Sequence, residues 1–256
     1  MDLNELRTFF LDLDRTVWNW DEFVFPADEV IQSLKSSGKE VKYYTDNTRL
    51  SRQGYAEKLT SMGIDTDKED IITSGYVAAK KLAEENVTEA YVIGESGLID
   101  ELEEEDIRVS KDADVVIAGF DRQFSYDKLR RAFNILSEGG DLYVCSTEAT
   151  FHTSQKTTPH QKAINNALSE FGESENIGKP SNTFRRHFKR YFSYFNDKTM
   201  LVGDRKEDIE TGNRLGLKTA AIMTGELSRD ELSELEGMQE PDFGLSNLNR
   251  LKRKIV

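Results

Sequence analysis

The chain has 256 residues, 37% of them hydrophobic, with a formal net charge of −13 and an isoelectric point near 4.9. That length suits one large domain or a core carrying an insertion. No apolar run approaches the roughly 20 residues a bilayer requires, and so acidic a chain is repelled by nucleic-acid backbones.

The single cysteine, Cys145, excludes a disulfide framework within one chain. It reads as a small buried hydrophobe, and the cytoplasm is the natural compartment. The acidic start, residues 1–5, is not a signal peptide.

Strand and helix patterns alternate along the chain. Residues 8–13 form a short apolar run ending in acids, which suits a strand buried on both faces of a parallel sheet. A helix is expected over 28–37, ended by Gly38, then a strand over 41–44 and a helix over 51–62, ended by Gly63. Ile71 and Ile72 precede a helix over 75–85.

A second alternating block follows, with strands over 90–93, 115–118 and 142–144 and helices over 96–105, 126–136 and 160–171. The first pattern then resumes with a helix over 180–192, Pro180 taking the first position, where its missing N–H costs nothing. A strand over 199–202, a helix over 208–215 closed by Gly216 and a strand over 218–223 come next. Ser228 and Glu231 form a capping box, and a last helix covers 247–255. The basic residues Arg185, Arg186, Lys189 and Arg190 read as a solvated helix face. Such alternation predicts an α/β fold with a parallel sheet.

Four segments carry chemistry, each at a strand end or before a helix, where ligands bind in open α/β sheets. Asp12 and Asp14 lie two apart after the first strand, and in extended backbone they point to one side. Like charges that close call for a counter-ion, usually a metal. Thr45, Asp46 and Asn47 end the second strand with a hydroxyl donor and backbone N–H groups suited to phosphate oxygens. Lys179 stands before a helix N-terminus, where an anion meets both the ammonium and the helix dipole. Gly203 permits a tight turn before Asp204, and Asp208, four residues on, comes within reach across one helical turn. Oxygen ligands of this kind suit Mg²⁺. Taken singly, each segment has an ordinary reading: a helix cap, a polar turn, a surface lysine, an acidic loop.

In this order, the four resemble the motifs of the haloacid-dehalogenase superfamily, with the greatest likeness to the para-nitrophenylphosphatase or NagD-like subgroup. The likeness spans nearly the whole chain, including the stretch from Tyr91 to Leu98, the segment Ala118 to Arg122, and Pro241-Asp242-Phe243.

The resemblance implies a Rossmann-like core over 1–76 and 177–256 with an inserted α/β cap over 77–176. It implies a Mg²⁺-dependent phosphatase working through an aspartyl phosphate on a small phosphorylated metabolite, such as phosphoglycolate, a sugar phosphate or a nucleotide monophosphate. Asp12 would be the nucleophile, Asp14 the acid and then the base, and Thr45, Asp46, Asn47 and Lys179 the phosphate-binding residues. The side chains of Asp12 and Asp204 and the backbone carbonyl of Asp14 would hold the metal, supported by Asp208. Members of the subgroup often dimerise through the cap, so a homodimer joins the expectations, although no diagnostic apolar patch is legible. No nucleic-acid or membrane partner is expected.

Two departures stand out. Arg15 occupies the place of the family's usual glycine after the second aspartate. In the cap, the usual Asn-x-Asp segment becomes Thr147-Glu148-Ala149, followed by the unusual stretch 155–159, with His152 and His160 nearby as surface residues. A catalytically weak or inactive binding protein on the same fold is the alternative that Arg15 favours.

Overall fold

A computed structural model describes residues 3–19, 22–152, 156–193 and 195–255. The expected N-terminal reading at Met1 and Asp2, and Gln155 of the cap stretch, lie outside the described residues.

In chain order the elements begin with β1 (Thr8–Asp12), the paired strands β2 (Trp18–Asn19) and β3 (Glu22–Phe23), α1 (Ala27–Ser36), β4 (Glu40–Thr45) and α2 (Arg52–Ser61). They continue with β5 (Ile71–Thr73), α3 (Ser74–Glu84), β6 (Glu89–Ile93), α4 (Ser96–Glu103), β7 (Arg108–Val109), β8 (Val115–Ala118), α5 (Tyr126–Ser137) and β9 (Asp141–Val144). Then come the antiparallel pair β10 (Thr150–His152) and β11 (Thr157–Pro159), α6 (Gln161–Ser169), β12 (Ser174–Asn176) and α7 (Asn182–Tyr191). The chain closes with β13 (Thr199–Gly203), α8 (Lys206–Leu215), β14 (Lys218–Ile222), α9 (Arg229–Glu234), β15 (Phe243–Leu245) and α10 (Asn249–Ile255). This is an α/β protein with parallel sheets, as the alternating pattern requires.

The chain divides into two compact units, one of Met1–Thr45, Ala56–Ile71 and Phe188–Val256, the other of Asp46–Tyr55 and Ile72–His187. The second unit takes in residues 46–55, 72–76 and 177–187, which lie outside the insertion expected over 77–176.

In the first unit β15, β14, β13, β1 and β4 lie side by side in that order in one sheet. Strand β1 pairs in parallel with β13 on one side, Phe10 opposite Leu201, and with β4 on the other, Phe10 opposite Lys42. Every residue of β1 and of β13 is buried, the signature of strands covered on both faces. Phe10 sits in an aromatic cluster with Phe188 and Phe192, ring centroids 4.7 Å away in each case. Beyond β1 the chain order runs one way to β4 and the other way to β13, so the strand order reverses beside the ends of β1 and β13, the place where such sheets bind ligands.

The second unit carries its own parallel sheet, β12-β9-β8-β6-β7. Ile93, Val116, Ala118 and Val144 pack with Ala132 of α5 and with Ile164 and Leu168 of α6 into one apolar core.

Several expected boundaries are corrected. The helix placed over 180–192 starts at Asn182, because the Ser181 hydroxyl accepts the Phe184 N–H at 3.0 Å and so caps it; Pro180 stands outside the helix. Helix α8 begins at Lys206, two residues before the expected start, and α6 spans Gln161–Ser169 rather than 160–171. The strands β2, β3, β7, β10, β11, β12 and β15 have two or three residues each, too few for a sequence period to show. The basic run in α7 is in part tied down: Arg186 donates to Glu84 at 3.0 Å.

Candidate active site

Strand β1 ends at Asp12 and β13 at Gly203, which delivers Asp12 and Asp204 to the place where the strand order reverses. Asp208 arrives from the first turn of α8. The three side chains are buried, and each offers an oxygen within 4.8 Å of the others. The convergence does not come from a shared helical turn, as the four-residue spacing suggests, because Asp204 precedes the helix. Instead Asp208 accepts the Arg205 N–H at 3.0 Å and closes the start of α8, while Asp204 leans on the loop after β14.

Two glycines make room for this packing. A Cβ on Gly203 would lie 2.4 Å from the Asp208 carboxylate, and one on Gly225 would lie 1.9 Å from Asp204 Oδ2. Neither position tolerates a side chain while the acids stay where they are.

Asp204 is fully buried, and its two oxygens are treated differently. Oδ2 accepts the Glu226 N–H at 2.9 Å and lies 3.0 Å from Arg15 Nε. Oδ1 is buried and receives no hydrogen bond from the described residues. Burial pushes the Asp204 carboxyl up to about 6; Arg15 pulls it down and Asp208 pushes it further up. Three buried carboxylates with one unserved oxygen fit a hard divalent cation, which takes oxygen ligands and relieves both deficits. Asp12, Asp204 and Asp208 would hold it.

Asp14 is placed differently from its neighbour. The extended-backbone expectation fails because β1 stops at Asp12, and Arg15 then adopts φ +62°, which turns the chain. The Asp14 carboxylate accepts the Trp18 indole N–H at 3.1 Å and lies outside the three-carboxylate group. The metal role expected of Asp14 belonged to its carbonyl, which that side-chain grouping does not address.

Arg15 is buried at 6% exposure, with its Nη2 3.3 Å from Glu226 and its carbonyl accepting from the Thr224 hydroxyl at 3.0 Å. A left-handed conformation costs a residue with a Cβ about 1–2 kcal/mol, so these contacts hold a conformation that glycine would take freely.

Thr45 is the last residue of β4 and is buried. In the second unit Asp46, Asn47 and Lys179 are also buried, and Lys179 Nζ lies 3.5 Å from Asp46 Oδ1. The Asp46 carbonyl accepts from the Ser74 hydroxyl at 3.0 Å, and the Asn47 carbonyl from the Tyr55 hydroxyl at 2.9 Å. The structure therefore brings Asp12, Asp204 and Asp208 together in one unit, and Asp46 and Lys179 together in the other. His160, expected at the surface, is 2% exposed and stacks on Phe120 at 4.4 Å, so it is a packed residue.

Sequence reasoning missed four residues of the site. Tyr44 was read only as part of a strand; its hydroxyl donates to the Val202 carbonyl at 3.1 Å, and burial with Asp208, Asp12 and Asp204 raises its pKa. Trp18, which holds Asp14, sits in a two-residue strand without a visible period. Gly225 and Glu226 lie between β14 and α9 in a stretch with no motif, and only the close approach to Asp204 reveals them.

Comparison with known proteins adds to this geometry. A model of the haloacid dehalogenase-like hydrolases matches residues 9–108, and one described as HAD-hydrolase-like matches residues 176–251. The chloroplastic phosphoglycolate phosphatase 1A of Arabidopsis thaliana is 27% identical over 277 aligned positions, covering 96% of this chain and 76% of the relative. Among solved structures, the 4-nitrophenylphosphatase of Thermotoga maritima superposes with a TM-score of 0.89 at 24% identity, covering 100% of both chains. A glycerol phosphate phosphatase of Mycobacterium tuberculosis in complex with magnesium gives a TM-score of 0.87 at 23% identity, covering 98% of this chain and 78% of that one.

Proposed function

The chain belongs to the haloacid dehalogenase-like hydrolases and is a phosphate-monoester hydrolase, and from that premise we propose that it hydrolyses a small phosphorylated metabolite with Mg²⁺ as cofactor and Asp12 as nucleophile. The observation that carries the reading is the buried group of Asp12, Asp204 and Asp208, with Asp204 Oδ1 lacking a donor among the described residues. That one relative is a phosphoglycolate phosphatase and one structural neighbour a glycerol phosphate phosphatase with magnesium supports a small substrate and this metal.

An Asp12 oxygen bonds to phosphorus as the ester P–O bond breaks, and Asp14 gives the leaving oxygen its proton. Asp14 then takes a proton from water as that water attacks phosphorus and frees Asp12. Bound Mg²⁺ supplies positive charge that offsets the charge of the phosphoryl oxygens. Acceleration of phosphate-monoester hydrolysis reaches about 10²¹, of which an acid such as Asp14 accounts for only about 10²–10⁴, so electrostatics and positioning must supply the remainder. For Thr45, Asp46, Asn47 and Lys179 the phosphate-binding role rests on the resemblance, as does the role of 77–176 as an inserted cap selecting the substrate.

The test is a Mg²⁺-dependent assay on para-nitrophenyl phosphate and a panel of phosphometabolites, with Asp12→Asn as the blank. Turnover by the wild type and loss in the variant are expected; equal activity in the variant removes Asp12 as nucleophile. A catalytically weak binding protein is the second reading, favoured by the Arg15–Asp204 ion pair. Failure of the wild type to turn over any substrate at high enzyme and Mg²⁺ concentration would favour it.

A further inference from the structure

We propose that Arg15 is a resident counter-cation of the carboxylate group, a positioning residue that weakens the hold of the site on a divalent cation and keeps that cation exchangeable. The inference rests on the metal reading above. Arg15 stands where the family's pattern has a residue without a side chain, and it folds its guanidinium inward rather than into solvent, with only 6% of the residue exposed. Its Nε lies 3.0 Å from Asp204 Oδ2, so part of the negative charge that would attract a divalent cation is already answered by the chain.

Arg15 influences Asp204 in two ways that oppose each other. It orients the carboxylate, which would favour metal binding, and it places a positive charge beside it, which opposes metal binding. Orientation does not depend on Arg15 alone. The Glu226 N–H holds the same Oδ2 at 2.9 Å, and the Gly225 backbone packs so closely that a Cβ there would sit 1.9 Å from that atom. Glu226 in turn has a second cation, Arg205 Nε at 3.4 Å, so it keeps a partner if Arg15 is lost. Arg205 also acts on Asp204 through its charge, though less than Arg15 does. Unit and double positive charges across one buried carboxylate repel by more than the roughly 1.4 kcal/mol that a tenfold change in Kd represents, even at an effective dielectric of about 20. The charge effect therefore outweighs the orientation effect.

The full-length protein, stripped with EDTA and dialysed, is titrated with MgCl₂ by calorimetry and by thermal unfolding at fixed ionic strength. Arg15→Gly, whose backbone suits φ +62°, is expected to bind Mg²⁺ at least tenfold more tightly than wild type. Arg15→Lys, which keeps the charge, is expected to stay within about threefold of wild type. Unfolding midpoints in EDTA confirm that each variant is folded. If Arg15→Gly binds equally or more weakly while wild type binds, or if Arg15→Lys tightens as much as Arg15→Gly, the counter-cation role is overturned and the metal reading survives. If neither wild type nor Arg15→Gly binds Mg²⁺, or if Asp204→Asn leaves the wild-type affinity intact, the metal reading itself falls and this inference falls with it.

Discussion

Asp204 in the first unit and Glu101 in the second are carboxylates of equal burial, at 0% and 1% exposure, and burial pushes the pKa of each upward. They differ in how their oxygens are served. Glu101 Oε1 accepts the Arg52 N–H at 2.6 Å and its Nε at 3.2 Å, and Oε2 accepts Nε at 2.9 Å, so the nearby cation covers both oxygens. In Asp204 the donors gather on Oδ2, while Oδ1 receives none from the described residues and faces two more buried acids as neighbours. A buried carboxylate with both oxygens served is complete as part of a framework. One with an unserved oxygen beside like charges is a liability unless something outside the chain completes it.

Neutralising each acid in turn should break the likeness. Asp204→Asn should lower kcat/KM by about 10³-fold or more, the scale of removing one electrostatic contributor at a reacting centre, while changing the unfolding midpoint in EDTA little, because relief of the repulsion with Asp12 and Asp208 offsets the partner that Arg15 loses. Glu101→Gln should do the reverse, costing about 3 kcal/mol of stability because buried Arg52 loses the carboxylate that lies 2.9 Å from its Nε, with turnover per folded molecule unchanged. Urea denaturation in EDTA alongside steady-state kinetics reads both; the same response from both variants would erase the distinction.

A smaller effect follows from pH. The folded value of Asp204, about 6, lies above the ordinary 3.8, so between about pH 4 and 6 the native state binds more protons than the unfolded chain. Stability from this group is therefore present at low pH and is lost as pH rises through about 6, by about 1 kcal/mol between pH 5 and 7. The difference in metal-free stability between wild type and Asp204→Asn should change by that amount across the interval. An unchanged difference would mean that Asp204 titrates normally.

The reach of the sequence follows the same division. Strands buried on both faces announce themselves as apolar runs, so β1, β8 and β13 were legible, and with them Asp12 and Asp204 at their ends. Lys179 was legible by its place before a helix, although the start of the helix had to move to Asn182. Arg15 was visible as a departure, but its direction was not, because whether a long cation turns inward depends on Asp204 and Glu226, some 190 and 210 residues away. Glu101 looked like one acid among several on an amphipathic helix, and nothing local distinguishes it from its exposed neighbour Glu103. Burial of charge is a property of contacts distant in sequence, and a single sequence does not record them.

The least effect is expected at Trp18, where the comparison can be sharpened within the first unit alone. Asp14 lies two residues from Asp12 yet is outside the carboxylate group, and the indole N–H at 3.1 Å is what holds it there. The ring is itself fixed: it is 1% exposed, with Lys58 Nζ 4.4 Å from its centroid. Trp18→Phe keeps an aromatic ring in that space and removes the donor. A hydrogen bond to a charged group contributes about 1.5–3 kcal/mol, and solvent at this half-buried carboxylate replaces part of it, which leaves a loss of about fivefold in kcat. KM and the Mg²⁺ affinity should stay within about twofold, because Asp14 would move without disturbing Asp12, Asp204 or Asp208. A matching loss of Mg²⁺ affinity would instead mean that the indole supports the metal-binding loop as a whole, and that Asp14 has no separate place in the chemistry.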